Sequence, residues 1–221
     1  GSGADSAALR AIADEAFAAF NSGGRQMQPF TARYPAFSLD DAYAVTAQAH
    51  ALRVAQGFQP RGRKIGFTNR TLWQRYGVHE PMWGTVYDRT VITADNNKAT
   101  VRLEGLVQPR IEPEICFKLK GVPKKSTIEE LVSCIEWMAH SVEIVQCHHP
   151  EWKVTIADCT ADNGLHGRLV VGTPIPMQDP EKLPKVEAKL FKGEELKDRG
   201  VGANVLGSPL ISLGYLVDLL K

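Results

Sequence analysis

The stretch QPRIEPEICFKL, residues 108–119, sets Glu112 and Glu114 one residue apart inside what reads as an apolar β-strand, with Pro113 between them. Residues i and i+2 of a strand share a face, so the two carboxylates project together while Ile111, Ile115 and Phe117 point the other way. Like charges at that separation repel, and burial raises the pKa of at least one of them unless a cation offsets the charge. A strand proline has no N–H to donate and is confined to edges or bulges, which is where strands aim side chains into sites. A third acid, Glu143, stands in similar apolar text, Ser-Val-Glu-Ile-Val at 141–145. Three carboxylates converging from two strands would make an all-oxygen site suited to Mg2+ or Mn2+, with positions left for water or substrate. The alternative is three solvent-facing acids on half-exposed strands.

Outward from this segment, short apolar runs alternate with Gly, Pro, Asn and Asp from residue 62 onward, which is β-rich texture. The expected strands cover 64–67, 84–87, 106–119, 141–147, 169–172 and 186–191. Helices are expected at 127–139, entered through Ser-Thr-Ile-Glu, and at 208–220. Before residue 62 the pattern is helical. Leu9, Ile12, Ala13, Ala16, Phe17 and Phe20 recur at helical spacing, and a capping box at Ser38 opens a second helix running to Gly57. The chain divides into a helical N-terminal portion, 4–60, and a mixed β domain, 61–221, which the resemblance described below implies is catalytic.

With 221 residues, 43% of them hydrophobic and 23% charged, the chain has the composition of a soluble globular protein with one main core. Its 26 basic and 25 acidic side chains balance, which argues against a nucleic-acid partner or an anionic membrane surface. There is no apolar run of membrane-spanning length and no phosphate-binding glycine loop. The four cysteines lie too far apart for a CxxC site and read as free thiols in a reducing compartment, so a cytoplasmic protein is expected. Gly1-Ser2-Gly3 reads as an expression remnant rather than a targeting signal. Cys147-His148-His149 reads as a loop, because neighbouring strand residues alternate faces and do not converge on one ion.

Lys64, in GRKIGFTN at 62–69, would face away from Arg63 in a strand. It is either a surface residue or a lysine of depressed pKa that carries protons or clamps an anion beside the metal. The whole set of segments, GRKIGFTN at 62–69, GVHEPMWGTVYD at 77–88, QPRIEPEICFKL at 108–119, HSVEIV at 140–145 and DCTADNGLHGRLVVG at 158–172, resembles the fumarylacetoacetate hydrolase superfamily. Within it the chain is similar to the branch of 2-oxopent-4-enoate hydratases and 4-oxalocrotonate decarboxylases. That resemblance implies an α+β fold with a mixed, barrel-like β-structure, Glu112, Glu114 and Glu143 as ligands of Mg2+ or Mn2+, and Lys64 as the active-site lysine. It also implies a homo-oligomer acting on small 2-oxo or 2-hydroxydienoic acids from the breakdown of aromatic compounds. Gly66, Met82, Trp83, Asp162 and Asn163 lie in matching segments and are expected to line the substrate pocket. The implied activity is that of a lyase, a hydratase or a decarboxylase, working through an enolate that a divalent cation stabilises.

The chain departs from the resemblance at three places. Met82 stands where the branch's hydratases commonly carry an aspartate, which weakens the hydratase assignment in favour of decarboxylation or another 2-oxo acid reaction, unless the nearby Glu80 substitutes. His166 replaces small hydroxyl residues and is either a substrate-contacting acid or base or a satisfied structural histidine. The relatives also continue with glycine-rich strands past the helix at 208–220, so those strands are expected to be missing here and an exposed sheet edge to be covered by oligomerisation. An acylpyruvate carbon-carbon hydrolase is the nearest rival, but its His-Glu pair has no counterpart histidine before His50. A non-catalytic binding or assembly subunit is the rival from another class.

Overall fold

The computed structural model describes residues 5–21, 23–70, 73 and 80–221; residues 1–4, with the Gly1-Ser2-Gly3 read above as an expression remnant, and 77–79, which open GVHEPMWGTVYD, lie outside them. Helix α1 (Ser6–Asn21) buries Ile12, Ala13, Ala16 and Ala19 against α3 (Leu39–Ala55), which answers with Ala42 and Val45. The expected capping box is present: Ser38 Oγ accepts the Asp41 N–H at 3.1 Å and Asp41 accepts the Ser38 N–H at 2.9 Å. Between them a single turn, α2 (Phe30–Arg33), sets Phe30 and Phe37 into the same cluster.

Strand β1 (Pro60–Gly66) pairs antiparallel with β2 (Met82–Tyr87) in a two-stranded sheet. A four-stranded sheet follows in the order β3-β6-β5-β4, from β3 (Val91–Thr93), β4 (Arg110–Leu119), β5 (Ile135–Val145) and β6 (His166–Val171). Its β3–β6 pair is parallel and the other two are antiparallel. The strand with Pro113 is the edge of that sheet, where a residue without an N–H is tolerated. A hairpin, β7 (Glu187–Lys192) and β8 (Glu195–Val201), forms the third sheet. Helix α4 (Ile128–Cys134) and the closing helix α6 (Pro209–Leu219) share a core of Leu131, Ile135, Met138, Leu183 and Leu210. No helix among the described residues is long and apolar enough to cross a membrane. Helices and a mixed β-structure make the fold α+β.

The helix expected over 127–139 stops at Cys134, and the chain passes straight into β5. Pairing decides this: Trp137 and Met138 lie opposite Lys118 and Phe117 of β4, so the second half of the helical pattern is used as a strand. Strand β8 and the short α5 (Ile156–Ala161) were not expected from the pattern; both are brief or built from charged residues.

Helix α5 joins the N-terminal helices to the sheet. Asp158 at its first turn accepts from the N–H and Oγ1 of Thr31 at 3.0 and 2.8 Å, and from the N–H and Oγ1 of Thr155 at 3.0 and 3.1 Å. Asp158→Ala leaves partly buried donors on both segments without their carboxylate acceptor and should cost about 2 kcal/mol. Urea unfolding measures this, and an unchanged midpoint would remove Asp158 as the joint.

Candidate metal centre

Across β4 and β5, Glu112 lies directly opposite Glu143, and Glu114 opposite Ser141. One oxygen from each of Glu112, Glu114 and Glu143 lies within 4.8 Å of the others. At that distance two ionised carboxylates repel by about 3 kcal/mol at an effective dielectric near 20. The carboxylates respond differently. Burial, with the charge of Glu143 behind it, raises the pKa of Glu114 well above the ordinary range, and desolvation raises that of Glu112 as well, although Glu112 is the most exposed of the three. Burial also pushes Glu143 up, but Lys64 and the hydrogen bond from His166 outweigh it and bring its pKa down to about 2.

Lys64 is buried, with Nζ 3.5 Å from Glu143 Oε1 and donating to the Gly164 carbonyl at 2.6 Å. In the cation-free cradle its pKa is raised rather than depressed. Burial lowers it, but the charges of Glu143, Glu112 and Glu114 together win, and the ammonium is favoured. Gly164 presents its carbonyl from an unusual turn in which Asn163, Gly164 and Leu165 all have positive φ, at 52°, 62° and 62°. The turn is clamped to β2 by Asn163, whose side chain accepts the Thr85 N–H and donates to the Thr85 carbonyl, both at 2.9 Å.

The donor set fits a hard divalent cation. Three carboxylates face one ammonium, Glu143 Oε1 is buried without a hydrogen-bond partner, and the Ser141 hydroxyl opposite Glu114 is also buried and unpartnered. Ser141 was not singled out in the sequence, although its position two residues before Glu143 puts it on the same face.

Other expected pocket residues are distributed differently. Gly66 and Met82 pair across β1–β2 on the Lys64 side; a methyl on Gly66 would lie 3.3 Å from Lys64 Nζ and 3.1 Å from Met82 Cε. Met82 is otherwise enclosed by Val145, Cys147, Cys159 and Leu165. Trp83 turns to the opposite face, because side chains alternate, and stacks on Tyr43 of α3. Asp162 is taken up by His148, whose Nδ1 lies 2.7 Å from it, and Asn163 by the clamp on Thr85. Neither side chain is left open for a ligand. Glu80 is exposed. His166 does not open to a pocket: it is buried, with Nδ1 2.8 Å from Glu143 and Nε2 2.8 Å from Thr90. His149 stacks edge-on against Phe30, and Cys147-His148-His149 is a loop that makes no metal cluster with the described residues.

Over 204 residues the chain is 32% identical to a 2-hydroxyhexa-2,4-dienoate hydratase of Comamonas testosteroni, covering 89% of this chain and 75% of that protein. The chain belongs to the hydratase and decarboxylase branch of the fumarylacetoacetate hydrolase superfamily. It is 31% identical over 194 residues to a 2-hydroxypent-2,4-dienoate hydratase of Pseudomonas putida, covering 87% of this chain and 86% of that one. Among solved structures, 4-oxalocrotonate decarboxylase from Pseudomonas putida G7, complexed with magnesium and adipate, superposes with a TM-score of 0.86. That match has 24% identity and covers all of this chain and 83% of the other, and it shows a shared fold. No family model matches the chain.

Two glycines separate scaffold from site. A methyl on Gly84 collides with the Asn163 carbonyl, backbone against backbone, whereas one on Gly66 meets only the flexible ends of Lys64 and Met82. Gly84→Ala should therefore destabilise by about 3 kcal/mol and Gly66→Ala by less than about 1 kcal/mol. Equal losses in urea unfolding would contradict this division.

Proposed function

We propose that this chain is a divalent-metal-dependent lyase acting on a small unsaturated 2-oxo or 2-hydroxydienoic acid, of the 2-keto-4-pentenoate hydratase kind, in the breakdown of aromatic compounds. The observation that carries the reading is the convergence of Glu112, Glu114 and Glu143 within 4.8 Å beside the buried Lys64. Glu112, Glu114 and Glu143 would hold Mg2+ or Mn2+. A cation bound there supplies Lewis-acid polarisation of the ketone of a chelating 2-oxo acid. The Lys64 ammonium donates to the Gly164 carbonyl and stands 3.5 Å from Glu143 Oε1. Its remaining protons would meet the substrate as an anion clamp or be delivered to its carbon chain. Gly66 keeps that approach clear, since any side chain there would touch Nζ.

Met82 favours a second reading, 4-oxalocrotonate-type decarboxylation. An apolar thioether buried in an apolar cluster offers no group to handle water beside Lys64. In that reaction the electrons left by departing carbon dioxide are accepted at the same polarised ketone.

We also read residues 4–60 as a helical portion supporting a catalytic domain at 61–221 whose strands close into a barrel-like structure. The protein would work as a cytoplasmic homo-oligomer. What supports assembly is the outer edge of β4, unpaired among the described residues, together with exposed Ile111, Phe191 and Val201.

Loss of ultraviolet absorbance from 2-hydroxypenta-2,4-dienoate in the presence of Mg2+ or Mn2+ is expected, and EDTA should abolish it. Glu114→Gln should remove both cation binding and turnover. Carbon dioxide release from an oxalocrotonate would move the assignment to the decarboxylase. Absence of turnover with any dienoate, oxalocrotonate or acylpyruvate would overturn the enzyme reading.

A further inference from the structure

We infer that Thr90 and His166 form a positioning relay that turns Oε1 of Glu143 toward the cation site; the inference rests on the metal reading above. Glu143 uses its two oxygens differently. Oε2 faces His166 Nδ1 at 2.8 Å, whereas Oε1 is buried with no hydrogen-bond partner, 3.5 Å from Lys64 Nζ and beside the other two carboxylates. A carboxylate tied through one oxygen has the other aimed, so the orientation of the ligand depends on what holds the imidazole.

The second imidazole nitrogen answers that. His166 Nε2 lies 2.8 Å from Thr90 Oγ1, which accepts the Tyr87 N–H at 3.1 Å and also lies 3.1 Å from the Tyr87 carbonyl. A hydroxyl has one proton to give. Directed to Nε2, over the shorter of its two distances, it leaves Nδ1 as the protonated nitrogen, which is the one facing a carboxylate acceptor. Rotated to Tyr87, it would let a neutral ring carry its proton on Nε2 and confront Glu143 with a lone pair. The Thr90 hydroxyl thus selects the tautomer that grips Glu143.

Thr90 is itself fixed. Its N–H donates to the Tyr87 carbonyl at 2.9 Å and its carbonyl accepts the Leu169 N–H at 2.8 Å, so the turn after β2 and strand β6 are bound together behind the ligand on β5. Thr90 works through His166, and His166 through its contact with the Oε2 side of Glu143. Both act through Glu143.

The relay is tested by calorimetric titration with Mn2+ and by heteronuclear NMR of the imidazole nitrogens in the metal-free protein. Thr90→Val, which keeps the shape and removes the hydroxyl, should weaken Mn2+ binding about tenfold, and Thr90→Ser should restore it to within about twofold. NMR should show His166 protonated at Nδ1 in the unaltered chain. Unchanged Mn2+ affinity in Thr90→Val, or a proton on Nε2 alone, would overturn the relay while leaving the cation site standing. Failure of the unaltered chain to bind Mn2+ would overturn the cation reading and the relay together. Should Thr90→Val not fold, the NMR result on the unaltered chain decides.

Discussion

The molecule is organised around one unfavourable pairing: Glu112 faces Glu143 directly across two adjacent strands, with Glu114 one step away on the same side. Like charges opposite one another destabilise a sheet. The chain accepts this at an edge strand and surrounds it with compensation. Lys64 is brought in from the separate β1–β2 sheet, and His166 from the neighbouring β6. Neither neutralises the group of three. One ammonium leaves a charge deficit that a divalent cation matches, and the raised pKa values of Glu112 and Glu114 are what the carboxylates do without it.

The scaffolding around that pairing explains features that carry no chemistry of their own. The left-handed turn at Asn163–Leu165 exists where Lys64 needs a carbonyl partner, and Gly84 is bare because the turn packs against it. His148 and Asp162 pair beneath the same turn. Asp158 then ties this layer to the helical N-terminus, so the helices secure the turn and through it the lysine.

Much of this was legible in the sequence. Period two placed Glu112 and Glu114 on one face, Pro113 marked an edge, and the apolar setting of Glu143 marked a third carboxylate for the same cluster. The helix cap at Ser38 was readable for the same local reason, whereas α4 is capped by Thr127, one residue after the serine that opens Ser-Thr-Ile-Glu. What local pattern could not carry were contacts between residues far apart in the chain. Thr90 meets His166 across 76 positions and Asn163 meets Thr85 across 78. Trp83 and Asp162 looked like pocket residues because they sit in motif text, yet alternation turns one away and His148 occupies the other. Ile135–Val145 read partly as helix because its pairing with β4, not its own pattern, makes it a strand.

The central claim is that the three carboxylates exist to hold a divalent cation. Anomalous diffraction from crystals grown with Mn2+ tests it most directly. The account predicts an anomalous peak enclosed by the carboxylates of Glu112, Glu114 and Glu143, with Lys64 at its side. A map without a peak there, and with Lys64 alone balancing the three acids, would contradict it.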